Sequence, residues 1–353
     1  MSKLRLGDIE WGIFKIRNIF MIEKVIGRPI ENYSIGNTPY ISNASTNNAV
    51  VSFVDDINSV SKGNTISVDP IKGSCFYHEY DFIGRGFSGA SVNLLRSDKL
   101  NKYNAVFCCS AIQKTSMAKA SYGYLFNSDR LKNGTIMLPI DSKGNPNWQF
   151  MEDYVKQEMR EQAKKIVKYY ENKLLKLAFE VLDLEVEWKE FFFTDIFKEI
   201  KRGKRLTKGN QIDGDTPYVS STGFNNGVDN FIGNEKGVRR YNNNLSLANS
   251  GTVGSCFYHN YEYVASDHIT ALTTEYANEY VYKFMSTIIK RLEEKYSFNR
   301  EINDKRISRE KIFLPIDKNG NPHWEYMSNF MKKLEKESIE KVLEYIYIYI
   351  YIY

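Results

Sequence analysis

"GSCFYH" stands at Gly73–His78 and again at Gly254–His259. The flanking segments decide whether the two copies are coincidence. "EWGIFKIRNIF" (Glu10–Phe20) is answered by "EWKEFFFTDIF" (Glu187–Phe197), and "GNTPYISNASTNNAV" (Gly36–Val50) by "GDTPYVSSTGFNNGV" (Gly214–Val228). "IMLPIDSKGNPNWQFM" (Ile136–Met151) returns as "IFLPIDKNGNPHWEYM" (Ile312–Met327). Four blocks in one order, at offsets drifting only between 176 and 181, mark a tandem duplication with loop insertions and deletions. A period of about 177 residues is far longer than the roughly 20–50 of a solenoid, so each copy is expected to be a domain with its own core.

Within each copy, short β-prone runs ("TPYIS", "AVVSFV", "TISV", "SCFYHEYDFI"; then "TPYVS", "LSLANS", "TVGSCFYH", "YEYVAS") are broken by Gly, Asn and Asp. This predicts mainly antiparallel sheet with long loops. A helix is expected over Ala277–Lys295, where Tyr280, Phe284, Ile288 and Leu292 recur every four residues. The "LPID-x-x-GNP-x-W" block predicts a strand, a turn and a helix start, because Gly-Asn-Pro cannot continue a strand.

From Gln149 to about Glu185 the texture changes. Glu, Lys and Gln dominate, Gly and Pro vanish, and Met151, Val155, Met159, Ile166, Tyr170, Leu174 and Leu177 fall mostly at three- or four-residue steps. This predicts one long amphipathic helix, roughly 55 Å at about 1.5 Å per residue. A second begins the same way from Glu325 to about Tyr345, with Met327, Met331, Leu334, Ile339 and Val342 apolar, and the simplest way to bury both stripes is against each other. The fold class expected is therefore α+β: two repeated, β-rich domains with helices (1–148 and 187–324), separated and joined by two long antiparallel helices (149–186 and 325–353). The last of these ends in "YIYIYIYIY" (Tyr345–Tyr353), a low-complexity tail whose alternation is strand-like and which an alternating TA tract in the gene would encode.

Composition bounds the function. The 353 residues are 42% hydrophobic and 26% charged, enough for two ordinary cores, and a formal charge of +5 permits an anionic partner. Cys75, Cys108, Cys109 and Cys256 show no CxxC spacing, which predicts buried, reduced thiols and a cytoplasmic protein, not a zinc site or a disulfide scaffold. Neither a signal peptide nor an apolar run of about 18 residues is found, so no membrane is expected.

The layout of globular domain, long helix, globular domain, long helix resembles the DNA specificity subunits of type I restriction-modification systems and the related recognition subunits of BcgI-like enzymes. The residues carrying the resemblance are "EWKEFFFTDIFKEIKRGKRLTKGNQIDGDTPYVSSTGFNNGV", "SLANSGTVGSCFYHNYEYVASDHITAL", "FNREINDKRISREKIFLPI" and the helices after Trp148 and Trp324. The resemblance implies that each domain is a target-recognition domain reading half of a bipartite DNA site. It implies helices that set the gap and dock methyltransferase subunits, two in number, with restriction or translocase subunits as further candidates. No cofactor is then expected on this chain; S-adenosylmethionine belongs to the methyltransferase partner. The first copy departs from the pattern, with "EKVIGRPIENYSIG" in place of "KRGKRLTKGNQIDG" and no counterpart of Ser266–His268.

Read for their own chemistry, Lys201, Arg202, Lys204, Arg205 and Lys208 surround Gly203, which suits close backbone approach to phosphates. Behind them come Ser220, Ser221, Thr222, Asn225 and Asn226, paralleled by Ser42, Asn43, Ser45, Asn47 and Asn48. Short polar side chains on loops can reach base edges, and Asn can be bidentate to adenine; the same residues also suit ordinary turns. Further candidates for DNA contact are Arg239, Arg240, His268, Lys305 and Arg306, and in the first copy Lys24, Arg28, Arg85 and Arg130. Against catalysis, "NPNW" and "NPHW" lack the second proline of the amino-methyltransferase motif, and no Gly-rich strand-turn-helix for S-adenosylmethionine is found. Asp267 and His268 adjoin no nucleophile or metal cluster in the sequence. The alternatives to a non-catalytic recognition subunit are a self-contained methyltransferase or nuclease component and a protein–protein scaffold.

Overall fold

The computed structural model describes residues 3–56, 58–87, 90–117, 120–121, 123–177, 185–297 and 299–352. They form two compact units, 1–166 with 349–353, and 167–348. The first comprises β1 (Trp11–Lys15), α1 (Ile16–Ile19), β2 (Met21–Lys24), β3 (Ser34–Ile41), β4 (Val50–Asp55), β5 (Thr65–Val68), β6 (Cys75–His78), β7 (Ile83–Gly84), β8 (Asn93–Arg96), α2 (Asn104–Met117), α3 (Ser128–Asn133), β9 (Thr135–Pro139) and most of α4 (Trp148–Lys176). The second comprises the end of α4, β10 (Trp188–Phe192), α5 (Phe193–Ile196), β11 (Glu199–Arg202), β12 (Asp213–Val219), β13 (Val228–Ile232), β14 (Arg240–Tyr241), β15 (Asn244–Ala248), β16 (Cys256–His259), β17 (Tyr263–Ala265), β18 (Ile269–Thr273), α6 (Glu279–Ile289), α7 (Asp304–Ile307), β19 (Lys311–Pro315) and most of α8 (Trp324–Ile352).

Strand order repeats between the units. Sheet β2-β8-β5-β6 matches β11-β18-β15-β16, β4-β3-β7 matches β13-β12-β17-β14, and the pair β1-β9 matches β10-β19. In the first unit a single bridge between Ser61 and Phe82 stands where the second has β14. Pairing is antiparallel except where β3 meets β7 and β12 meets β17.

The repeated hexapeptide is a framework element by virtue of its Gly, Cys and His. Gly73 (φ 72°) and Gly254 (φ 91°) take left-handed backbone, and a Cβ there would stand 2.6 Å from the amide nitrogens of Met117 and Glu293. Cys75 and Cys256 sit in the two cores, the first with Ile66, Cys108 and Ile112, the second with Leu247, Val281 and Met285. All four thiols are free and buried, and burial raises the titration of Cys75, Cys108 and Cys256. His78 and His259 are fully buried, each with Nε2 2.8 Å from a serine hydroxyl, Ser67 or Ser246, across the strand pair. Burial pushes both rings down to about 4, so they are neutral framework groups.

The strand, turn and helix start expected of "LPID-x-x-GNP-x-W" form in both copies. Asp141 Oδ1 accepts the amides of Lys143 and Asn145 (both 2.9 Å), Gly144 takes φ 76°, and Asn147 caps α4 at Phe150 N (2.9 Å). Asp317, Gly320 and His323 repeat the arrangement before α8.

Several expectations are corrected. "SCFYHEYDFI" is two strands, not one, broken at Glu79–Asp81. The helix α4 ends at Lys176, short of the expected Glu185; of the remainder, 178–184 lie outside the described residues. Its stripe is packed unevenly, with Tyr170, Leu174 and Leu177 half-buried. Met151, Val155 and Ala163 are buried, whereas Met159 and Ile166 are each 41% exposed. On α8, Met327, Ile339 and Leu343 are buried and Leu334 and Val342 are exposed. Residues of α4 and α8 meet in opposite chain order: Lys173 pairs with Glu335 at 2.5 Å, and Glu171 accepts from the Tyr347 hydroxyl. The Tyr-Ile run is helical to Ile352 despite its alternation, because extending a formed helix adds a hydrogen bond per residue without a new nucleus.

Candidate nucleic-acid interface

Strand pairing decides which loops converge. In the second unit Arg202 lies opposite Thr270, Ala248 opposite Ile269, and Val219 beside Ala265 in a parallel register. The ends of β11, β12, β15 and β17 and the start of β18 therefore share one end of the unit, and segments 203–210, 220–227, 249–255 and 266–268 emerge together there. Backbone bonds lace them: Lys204 N to Ala265 O (3.1 Å), Ser266 N to Val219 O (3.0 Å), Asn249 N to His268 O (2.8 Å) and Thr252 N to Ser221 O (3.2 Å). Ile302 N to Asn249 O (3.0 Å) brings in the segment before α7. Lys204, Arg205 and Lys208 are exposed and make no ion pair among the described residues. Ser220, Ser221 and Thr222 are half-buried, and Asn225 and Asn226 are exposed with φ of 49° and 54°. His268 is exposed, its Nδ1 2.5 Å from the Ser250 hydroxyl. Ser250 and Thr252, whose hydroxyl donates to Ser221 O (2.9 Å), belong to this end and were not singled out from the sequence. Their only signal was position, in a loop following a buried strand.

The remaining cations are spent differently. Gly203 does not face solvent: it is buried, and a Cβ there would stand 2.1 Å from Ser266 O, so its close approach is to its own chain. Arg202 is half-buried on β11, and Lys201 is paired with Glu199 at 3.6 Å. Arg239 donates to Arg202 O (2.5 Å), and Arg240 binds Glu262 (2.5 Å) and Asn234 O (3.1 Å). Arg240 and Lys201 line a polar hollow of about 310 Å³ with Glu199, Asn244 and Thr273, towards the opposite end of the sheet. On α7, Lys305 is exposed and Arg306 donates to Glu301 O.

The first unit gathers segments 25–33, 42–49, 69–74, 85–87 and 90–92 at the matching end, with Val25 N to Val92 O (3.1 Å) and Arg85 N to Ile41 O (2.9 Å). Here several expected contact residues bond one another. Asn43 donates to Asp69 (2.8 Å) and Ala90 O (3.1 Å), while Arg85 donates to Asn43 Oδ1 (3.3 Å) and Ala90 O (2.8 Å) and covers the Phe87 ring. Asn48 donates to Tyr77 O (3.2 Å) and to the Tyr80 hydroxyl (3.3 Å). Arg28 pairs with Asp56 at 3.1 Å, which raises its titration, and Arg130 lies over Tyr124 while donating to Leu125 O (2.8 Å). Lys24, Ser45 and Asn47 are exposed, and Ser42 is half-buried. The end of the second unit thus offers unpaired cations beside uncommitted amides, which suits phosphate neutralisation next to base-edge hydrogen bonding. The first offers a more self-bonded surface.

Among the described residues, no three of His, Cys, Asp and Glu stand together as metal ligands would, and no helix is long and apolar enough to cross a membrane.

Residues 8–168 and 185–344 each match the family described as Type I restriction modification DNA specificity domain. Over 346 residues the chain is 28% identical to the type II restriction enzyme BgcI specificity subunit S.BcgI of Heyndrickxia coagulans, covering 95% of this chain and 98% of that one. A crystal structure of a type I restriction-modification system S subunit from M. genitalium superposes with a TM-score of 0.50 at 17% identity, covering 99% of this chain and 97% of that one, and shares its fold.

Proposed function

This chain belongs to the type I restriction modification DNA specificity family, and on that premise we propose that each of its two units reads one half of a bipartite site on double-stranded DNA. The protein is a DNA-specificity subunit, a recognition component without catalytic activity of its own. The observation that carries the two-reader proposal is that both units keep one strand order and one buried hexapeptide while their four converging loops differ in sequence. Constant frames with unlike loops are what reading two different half-sites requires.

In this reading α4 and α8 form an antiparallel spacer that fixes the distance between half-sites. Their exposed faces dock methyltransferase subunits, two copies, which bring S-adenosylmethionine; restriction or translocase subunits join the same assembly in the cytoplasm. The test is selection of bipartite duplexes by the purified chain at increasing salt, followed by replacement of residues 1–148 with another domain of the same kind. One half-site should change and the other stay. Methyl transfer should require an added methyltransferase subunit. Both half-sites changing together, or robust methyl transfer by the chain alone, would overturn the reading.

A further inference from the structure

Three consecutive residues of positive φ close the connection between β12 and β13: Asn225 (49°), Asn226 (54°) and Gly227 (78°). The first unit repeats the turn at Asn47 (51°), Asn48 (55°) and Ala49 (61°), although an L side chain at Ala49 disfavours it. In each, the amide of the third residue donates to the carbonyl of the residue before the turn: Gly227 N to Phe224 O (2.8 Å), Ala49 N to Thr46 O (2.9 Å). The backbone is the same, but the side chain it presents is not. Thr46 is exposed, and Phe224 is 79% exposed, with no ring contact among the described residues.

An unburied phenylalanine at a loop tip gives its own fold little, so its surroundings decide its use. Segment 220–227 shares its end of the unit with Lys204, Thr252 and His268, the surface read above as DNA-facing. The neighbouring amides differ as well. In the first unit Asn48 is held by Tyr77 and Tyr80, whereas in the second Tyr261 turns its hydroxyl to His259 Nδ1 (3.1 Å) and Asn226 keeps no side-chain partner among the described residues.

We propose that Phe224 is a specificity-determining residue of the second unit, making apolar contact with the 5-methyl group of a thymine in the major groove. The proposal rests on the two-reader reading above. A ring without donor or acceptor can distinguish major-groove edges only by apolar contact, and the thymine methyl is the one apolar group those edges carry. Thr46, in the same frame, brings a hydroxyl and a methyl to the other half-site.

The experiment uses the full chain and the duplex it selects from a random bipartite pool. Each thymine of the second half-site is replaced in turn by deoxyuracil, which deletes only the methyl. One such replacement should weaken binding about fourfold, the worth of one buried methyl. Phe224→Ala should lose preference at that base pair by about the same fourfold and become indifferent to the uracil. Its preference at the remaining base pairs of the second half-site, unchanged, shows that the second unit of the variant is folded. Neutral uracil at every thymine, no thymine in the half-site, or a Phe224→Ala loss equal for all sequences, as insertion between base pairs would give, overturns the proposal while leaving the two-reader reading intact. Failure of the wild-type chain to select any bipartite duplex overturns both.

Discussion

Replacing His78 or His259 with Gln should flatten the acid side of the protein's stability profile. Each ring is fully buried, with Nε2 2.8 Å from a serine hydroxyl, and titrates at about 4 when folded. An unfolded histidine titrates near 6.5, so between pH 6.5 and pH 4 the unfolded chain holds a proton that the folded site refuses. Stability from each ring is thus present above pH 6.5 and is lost as pH falls below it, by about 1.4 kcal/mol at pH 5.5 and about 3 kcal/mol near pH 4. Urea unfolding followed by circular dichroism at pH 7.5 and 5.5 reads the difference. The slope with pH is the measurement, since Gln changes packing equally at both values and isolates the ring from every other titrating group. Unchanged wild-type stability between the two pH values, or a full slope surviving in the Gln variants, would refute the assignment of these rings as buried neutral groups.

Gly254→Ala should destabilise the second unit by about 2–4 kcal/mol in the same unfolding assay, because its φ of 91° and the Glu293 amide 2.6 Å from the new Cβ leave no relaxed conformation. Changing Lys204 and Arg205 together to Ala should weaken binding to all duplexes alike and reduce the slope of log affinity against log salt by about one to two, as measured by fluorescence anisotropy. Inserting a heptad after Ala163 in α4, with a matching insertion in α8, lengthens each helix by roughly 10 Å. The preferred gap between half-sites should grow by about three base pairs in duplex selection, both half-site sequences staying fixed.

Much of the frame is legible in the sequence because duplication writes it twice. The turn before each long helix is encoded locally, by Asp141 or Asp317 accepting amides within four residues, so its pattern suffices. The helix α2 escapes notice for the converse reason. Ala105, Cys108, Cys109, Ile112 and Ser116 recur at helical spacing and are buried, but Val106 and Met117 on the outer face are apolar too, which removes the contrast on which periodicity depends. Across the candidate interface, residue type was a poor guide to availability. Asn43 and Arg85 look like readers but bond each other across 42 residues, and Gly203 serves a close packing that only the tertiary pairing of β11 with β18 creates. Long-range partners of polar side chains leave no periodic trace.

The left-handed turn shared by Asn47–Ala49 and Asn225–Gly227 also bears on inheritance. Its shape is set by residues that follow the presented side chain, and the bond that closes it uses the carbonyl of Thr46 or Phe224, which any amino acid supplies. Codon changes at positions 46 and 224 can therefore accumulate without a penalty in folding. On the reading proposed for Phe224, a lineage carrying this gene could move to a new DNA address by single steps, each intermediate remaining a folded protein.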